Sequence, residues 1–396
     1  MAIPPFEAPR MNPPPLPRLL YLLMACNLVL GTGVFVLAGI LVPISEALHV
    51  SVAAAGQAMT AYAISTALLA PLVLVLTGRW PRRNALVFGL LVFSLGSLVC
   101  ALAQSLALLL AGRVLMGVGA IFTPISGGMA VALVAPAQRG RALSLVFLGI
   151  SVSYVVGTPL GAWLGFRYGW QWPVALVAAA GLLAAIALAL LLPRNIVAPG
   201  ASFKGLPRLL AQPAIASTLA VTLLYFIGVF VVMAYVGPVL QALHPMSAER
   251  LSFTLMLFGV AGVVGTVSGG WANDRFGARR TLPVQLTVLA STMAFVPLTH
   301  GHYLAMVAVF FVWGVAGFGM MAPQQSRLAG LAPAQTPILL SLNASMLYLG
   351  TAGGAALGGA VVGTVGYSRL AWVSVPFALA ALAMLRLSLR LADAHA

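Results

Sequence analysis

Long runs of apolar residues, separated by short polar turns, fill the chain from residue 19 to residue 391. The runs are continuous, which indicates helices, because the strands of a membrane barrel alternate apolar and polar residues. A helix needs about 20 mostly apolar residues to cross a bilayer. We therefore predict twelve spans, at residues 19–42, 53–76, 84–104, 107–134, 141–165, 171–192, 213–240, 251–272, 281–299, 303–325, 337–363 and 368–391.

The composition also indicates a membrane protein. Of the 396 residues, 62% are hydrophobic and only 6% are charged, whereas soluble domains carry about 25% charged residues. A soluble chain this apolar would expose large patches and aggregate. The predicted fold class is an all-α integral membrane protein with 12 transmembrane helices. A Pro-rich segment, residues 1–18, precedes them and is predicted to be disordered.

The net charge of +15 comes from 20 basic and 5 acidic residues. The basic residues lie in short loops between apolar runs, which argues against nucleic-acid binding. If both termini face the cytoplasm, the outer loops hold only Arg167, Arg250 and Arg369. Cytoplasmic loops of membrane proteins are enriched in Lys and Arg. We therefore predict a multi-pass protein of the bacterial inner membrane with both termini in the cytoplasm.

The chain resembles itself across its midpoint. LVAPAQRGRALSL at 133–145 matches GLAPAQTPILLSL at 330–342, and GRWPRR at 78–83 matches DRFGARR at 274–280. This repeat predicts two pseudo-symmetric six-helix halves with a substrate site between them near the midplane. The predicted divisions are a first half, a cytoplasmic linker, a second half and a tail, at residues 19–192, 193–212, 213–391 and 392–396.

The segment GGWANDRFGARR, residues 269–280, lies between the eighth and ninth predicted spans. It resembles the cytoplasmic loop motif of the major facilitator superfamily, and the resemblance extends over essentially the whole chain. An ordinary basic turn is the alternative. The resemblance implies the major facilitator fold and a gating role for Gly270, Asp274, Arg275, Gly277, Arg279 and Arg280.

The corresponding loop of the first half, LTGRWPRRN, departs from that motif. Gly78 stands where the superfamily has aspartate, so a charge-pair latch is not supported on this side. The remaining gating residues are Arg79, Arg82 and Arg83. The TGRxPRR form and the stretch 322–359 both look like sugar-efflux relatives. Within the superfamily the chain resembles the twelve-span drug–proton antiporter branch, and the arabinose and sugar efflux permeases in particular.

The segment GISVSYVVGTPLGAWLG, residues 149–165, resembles the antiporter motif of the fifth helix. Glycine permits close contact between membrane helices, and proline bends a helix by removing a backbone donor. In the superfamily this pattern marks exporters more than importers. The residues that carry it are Gly149, Gly157, Pro159 and Gly161.

Arg113, in LLLAGRVLMGVGA, lies within a predicted span. It resembles the fourth-helix arginine of the superfamily, which implies proton transfer or charge balance with the substrate. The alternative is a side chain that snorkels to the outer interface. None of the five acidic residues lies at mid-membrane in the predicted spans, and the candidate carboxylate is Glu46, near the outer end of the first span. Coupling through Glu46, Arg113 and water, and weak coupling, both stay open.

Apart from Arg113, the candidate cavity residues are neutral. Aromatic faces with a few hydrogen-bonding groups suit sugars or neutral amphipathic compounds. Packing is the alternative role for each of them, and Asn343 and Tyr348 could equally hydrogen-bond between helices. The candidates are Asn27, Thr32, Tyr62, Arg113, Tyr154, Tyr225, Trp313, Asn343 and Tyr348.

We therefore expect a secondary active transporter that exports small neutral compounds, sugars or drug-like molecules, by alternating access and exchange for protons. The alternatives are an uncoupled facilitator and a non-transporting membrane sensor. No enzyme activity, cofactor or metal is expected, since no nucleotide-binding loop or ligand cluster is evident. The expected partners are the substrate, protons and the lipid bilayer, and we expect a monomer.

Overall fold

The computed structural model describes residues 17–135, 138–193, 211–332 and 335–393, and these ranges are helical apart from short turns. Twelve helices in them are long and apolar enough to cross a membrane. The predicted all-α class and the number of spans are therefore confirmed. The predicted N-terminal segment, the linker and the tail lie almost wholly outside the described residues.

Helices in the first six spans are interrupted in three places, at Ile40, after Gly119 and at Ser153–Gly157. Their α-helices are Arg18–Gly39, Leu41–Ala47, Val52–Leu76, Arg82–Ala101, Leu106–Gly119, Phe122–Ala132, Arg139–Val152, Thr158–Tyr168 and Gln171–Leu191. The last six spans are built from Pro213–Met233, Val236–Leu243, Ala248–Phe276, Ala278–Phe295, Tyr303–Gly319, Met321–Leu331, Thr336–Val365 and Leu370–Asp393.

A short helix follows the first span of each half. The first span breaks at Ile40, with φ −118° and ψ 21°, and the seventh span breaks at Tyr235, with φ −121° and ψ 25°. The predicted spans 19–42 and 213–240 run through these breaks, because the chain stays apolar across them. We call the end of the bundle that carries Leu41–Ala47 and Val236–Leu243 the short-helix face.

The opposite end, the basic face, carries Arg79 and Arg275 in its turns. The fourth span breaks into two helices after Gly119, and the tenth span breaks after Gly319. Matching breaks in the two sets of six spans give the pseudo-symmetry that the sequence repeat predicts.

Glycines bring the third and fourth spans into backbone contact. A Cβ added at Gly112 would lie 2.7 Å from the Gly96 carbonyl oxygen and 2.9 Å from the Cys100 nitrogen. A Cβ at Gly119 would lie 2.6 Å from the Gly89 carbonyl oxygen. Small residues are the usual means of packing membrane helices, because lipid supplies no hydrophobic force between them. This contact fixes the fourth span, which carries Arg113.

We predict that Gly112→Ala destabilises the protein and that Gly128→Ala does not. Gly128 has no neighbour within 4 Å, so its replacement reports only the helix propensity gain of about 1 kcal/mol. Overpacking at Gly112 is expected to cost about 1–3 kcal/mol. Thermal unfolding of both variants in the same detergent measures the difference, and equal melting temperatures would contradict the backbone contact.

Candidate functional site

A cavity of about 300 Å³ lies between the two halves at the centre of the bundle. Four spans of the first half and four of the second half contribute to its wall. Five of the predicted cavity residues line it, namely Tyr62, Tyr154, Tyr225, Trp313 and Tyr348. The central, interfacial location is the one that the sequence repeat indicates.

An aromatic bridge crosses the cavity wall from one half to the other. The ring of Phe35 stacks on Tyr154 with centroids 4.4 Å apart, and Tyr154 meets Phe318 edge-on at 4.8 Å. Phe318 packs 5.9 Å from Phe258, which packs 5.1 Å from Trp313. Offset and edge-on rings attract one another beyond their area of contact. The bridge gives the cavity a largely aromatic wall.

Among the hydroxyl groups on this wall, those of Tyr154, Tyr348 and Thr351 have no hydrogen-bond partner in the part of the chain that the structure describes. Tyr348 and Thr351 lie three positions apart and so share a helix face. The hydroxyl of Tyr225, by contrast, donates to the Gly317 carbonyl oxygen at 2.5 Å. The wall therefore offers hydroxyl groups from both halves to a ligand.

Among the described residues that line the cavity, none has a charged side chain. Glu46 is exposed in the short helix Leu41–Ala47, on the short-helix face. Glu249 is in the first turn of the eighth span, and Asp274 is in the last turn of the same helix, where it is exposed. The carboxylates of these three described residues therefore lie at the ends of the bundle.

Arg113 is completely buried beside the cavity, so the snorkelling alternative is wrong. Its Nε donates to the Ala58 carbonyl oxygen at 3.1 Å, and its Nη1 and Nη2 donate to the carbonyls of Gly33 at 2.9 Å and Val34 at 3.0 Å. Its guanidinium also lies 4.8 Å from the ring centroid of Tyr62. Arg113 thus clamps the first, second and fourth spans together.

Besides Arg113, two predicted cavity residues of the first half, Asn27 and Thr32, do not line the cavity. Asn27 donates from Nδ2 to the Ser126 hydroxyl at 3.0 Å and is completely buried between the first and fourth spans. The Thr32 hydroxyl donates to the Leu28 carbonyl of its own helix at 2.8 Å. Both side chains satisfy their polar groups within their own half.

Asn343 is likewise turned away from the cavity, toward the seventh span. Its Oδ1 accepts from the Thr222 hydroxyl at 2.6 Å, and that hydroxyl also accepts from Gln324 Nε2 at 2.9 Å. Gln324 Nε2 donates further to the Thr218 carbonyl oxygen at 2.7 Å. This buried network joins the seventh, tenth and eleventh spans, so Asn343 forms hydrogen bonds between helices.

The motif 269–280 forms the turn between the eighth and ninth spans. Gly269 packs on the backbone of Gly319, whereas Gly270 has open space around it. Gly277 takes φ +75° at the start of the ninth span, a conformation that favours glycine. Asp274 precedes this turn within the helix, so it does not cap the ninth span. Arg275, Arg279 and Arg280 surround the turn on the basic face.

The corresponding loop of the first half is a tight turn. Gly78 donates its backbone N–H to the Val75 carbonyl oxygen at 3.1 Å, and Arg79 follows it. Arg82 and Arg83 are the first two residues of the third span. The loop therefore places its arginines on the same face as the motif 269–280.

The glycines of the fifth span pack against the first span. Gly149 lies on the backbone of Met24 and Leu28, Gly157 lies on Thr32, and Gly161 lies on Val36. Within this span the residues Ser153–Gly157 form a π-helical turn immediately before Pro159. A π turn of this kind interrupts the regular hydrogen-bond ladder, as does the missing donor of proline. The motif thus forms close contacts inside the first half.

Sequence analysis missed most of the cavity wall. Phe35, Phe258, Phe318, Met233 and Met321 all line the cavity. They are apolar residues in apolar spans, and nothing in the sequence distinguishes them from residues that face lipid. Helical spacing from a known cavity residue is the one signal that could have found some of them.

The sequence profile described as the Major Facilitator Superfamily matches residues 23–326 and 218–395. The chain belongs to the major facilitator superfamily. This assignment makes the protein a secondary transporter rather than an enzyme. The helix breaks and the central cavity are therefore features of a transporter fold.

Two curated relatives cover most of the chain. It is 27% identical over 355 residues to the uncharacterized MFS-type transporter YbcL of Bacillus subtilis, covering 89% of this chain and 91% of the relative. It is 30% identical over 342 residues to the inner membrane transport protein YdhP of Escherichia coli, covering 86% of this chain and 87% of YdhP.

Solved structures show the same fold. A bacterial homolog of the human lysosomal transporter Spinster, in an inward-facing and occupied conformation, superposes with a TM-score of 0.80 at 17% identity, over 94% of this chain and 96% of that one. A D-xylose–proton symporter superposes with a TM-score of 0.73 at 17% identity, over 92% of this chain and 96% of that one.

We predict that Arg113→Lys destabilises the protein by about 2 kcal/mol, because an ammonium group cannot reproduce the forked hydrogen bonds to two helices. Arg369→Lys, at an exposed turn, is the matched control. Thermal unfolding in detergent is the measurement. An Arg113→Lys protein as stable as the control would exclude the clamp.

Proposed function

We propose that the protein exports small neutral compounds, sugars or drug-like molecules, in exchange for protons, as a member of the twelve-span drug–proton antiporter branch. The observation that carries the proposal is a central cavity with an uncharged aromatic wall and available hydroxyl groups, among them those of Tyr154, Tyr348 and Thr351. The two halves rock about this cavity, so that it faces the two sides of the membrane alternately.

The proposed orientation places the basic face, and both termini, in the cytoplasm. It is supported by the excess of arginine in the turns of that face. Export is supported by the glycine pattern of the fifth span, which resembles the exporter motif. The glycines of that pattern hold the fifth span on the first span, so these two helices move as one unit.

The proposed substrate follows from what the wall offers. Burying a charged ligand against neutral side chains would be costly, since no counter-charge lies in the lining. A neutral ligand with an apolar face can pack on the aromatic bridge. Its polar groups can then bond to Tyr154 on one half and to Tyr348 and Thr351 on the other. Bonds to both halves couple binding to their relative movement.

Proton exchange is supported by family resemblance, and the residues proposed for it are Glu46 and Arg113. A D-xylose–proton symporter has the same fold. Arg113 lies behind Tyr62 with its donors held by carbonyl groups. Its charge therefore acts as a fixed field beside the cavity, and Glu46 is the residue that can bind and release protons.

The first test is accumulation in inside-out membrane vesicles, with substrates chosen by a growth screen of a deletion strain against sugars and neutral antibiotics. We expect accumulation driven by an acidic interior, and its loss when an uncoupler collapses the pH gradient. Vesicles without the protein are the control. Undiminished accumulation after full collapse of the pH gradient would reject the antiporter.

A second candidate function, an uncoupled facilitator, is favoured by a specific observation. The cavity has no carboxylate, and Glu46, Glu249 and Asp274 all lie at the ends of the bundle. Such a protein would equilibrate its substrate across the vesicle membrane without accumulating it. Equal rates with and without the uncoupler, ending at equal concentrations, would identify it.

We predict that Tyr154→Phe and Tyr348→Phe each raise KM about three- to tenfold, because each removes one hydrogen bond to the substrate. Tyr168→Phe, at an exposed position on the short-helix face, is the matched control and should leave KM unchanged. Initial transport rates in vesicles with matched protein amounts measure the effect. An unchanged KM in both cavity variants would remove these hydroxyls from the binding site.

A further inference from the structure

The two halves come into backbone contact at the short-helix face. A Cβ added at Gly237, in the short helix of the second half, would lie 2.8 Å from the Gly39 carbonyl oxygen and 3.0 Å from the Ala38 carbonyl oxygen. Both carbonyls belong to the end of the first span. Backbone atoms cannot rotate out of the way as side chains do, so any larger residue would separate the halves here.

Next to this contact, a tyrosine ring fills a slot made of glycines. Tyr235 is completely buried. Its ring lies between Gly56 of the second span and Gly358 and Gly359 of the eleventh span. A Cβ at Gly56 would overlap the ring, and a Cβ at Gly358 would lie 2.9 Å from it. We call this arrangement the Tyr235 slot.

The hydroxyl of Tyr235 fixes the ring in this position. It donates to the Ala355 carbonyl oxygen at 3.0 Å and lies 3.5 Å from the Ala53 carbonyl oxygen. Ala355 is in the same half as Tyr235, whereas Ala53 and Gly56 are in the other half. The ring is therefore bonded to one half and covered by the other, and it loses its cover when the halves separate at this face.

We propose that the Tyr235 slot is the closure of the cavity at the short-helix face, and that a side chain at Gly56 biases the transporter toward the state in which this face is open. The proposal rests on the proposed alternating access. The ring cannot yield to a new methyl group at Gly56, because the eleventh span lies directly behind it. The strain is released only when the second span moves away, which is the movement that opens the face.

The test compares Gly56→Ala with Gly363→Ala, in a background without Cys26 and Cys100. Gly363 is in the eleventh span about one turn beyond the slot and has no neighbour within 4 Å. Spin labels at Ala47 and Glu249 report the separation of the halves at the short-helix face, and labels at Asn84 and Ser326 report it at the basic face. All four of these positions are exposed.

We expect Gly56→Ala to raise the population of the longer Ala47–Glu249 distance about tenfold, with a matching shift to shorter Asn84–Ser326 distances. Gly363→Ala should resemble the parent protein. Identical distance distributions in Gly56→Ala and Gly363→Ala would overturn the proposal. A shift at the short-helix face alone would show local distortion rather than a change of state, and would also overturn it.

A second comparison holds if Gly56→Ala folds poorly. Tyr235→Ala removes the ring, so Gly56→Ala should add no further shift in that background, and a full additional shift would exclude the slot as the cause. The distances are measured without substrate. If vesicles accumulate no substrate but Gly56→Ala shows the expected distance shift, the proposed function is rejected and the closure is retained. If vesicles accumulate substrate but the distances do not shift, the closure is rejected and the proposed function is retained.

Discussion

Close approach of helix backbones at glycine is the interaction on which the rest of the structure depends. Lipid is as apolar as the side chains of the spans, so burial of apolar surface does little to hold one span against another. Contact energy comes instead from dense packing and from polar groups that bond between helices. Gly112 against Gly96 and Gly161 against Val36 hold spans inside the first half. Gly237 against Gly39 holds the two halves together, at one face of the bundle.

The absence of water inside the bilayer determines which partners the polar side chains take. In a span, a donor without a partner costs several kcal/mol, so it is drawn to any acceptor nearby. Arg113, Asn27 and Asn343 find acceptors in neighbouring helices and thereby leave the cavity wall. The hydroxyls of Tyr154 and Tyr348 are left without such partners because they project into the space between the halves. Unsatisfied groups at a cavity therefore mark the ligand side of the molecule better than polarity does.

The number of spans, their order and the repeat could be predicted from the sequence, because hydropathy is a property of consecutive residues and does not depend on tertiary contacts. It did not predict the breaks at Ile40 and Tyr235, where the chain stays apolar. Five of the aromatic cavity candidates line the cavity, whereas Asn27 and Asn343, which were chosen for their polarity, form hydrogen bonds between helices. Which face of a span meets the cavity depends on the rotation of the helix, and that rotation is set by glycine contacts with partners far away in the chain.

Coupling follows from the same constraint. Tyrosine and threonine hydroxyls do not ionise near neutral pH, so the cavity wall itself has no group that binds and releases a proton in each cycle. Arg113 cannot take that role, because an arginine side chain stays protonated in proteins and its donors are held by three backbone carbonyls. In an antiporter, the group that carries the proton must also be exposed to the two sides of the membrane alternately, in step with the substrate site. Glu46 is exposed in the short helix Leu41–Ala47, at the same face of the bundle as the contact between Gly39 and Gly237. In an antiporter built on this chain, the exchanged proton would therefore bind at the short-helix face, where the cavity closes, and not in the cavity that binds the substrate.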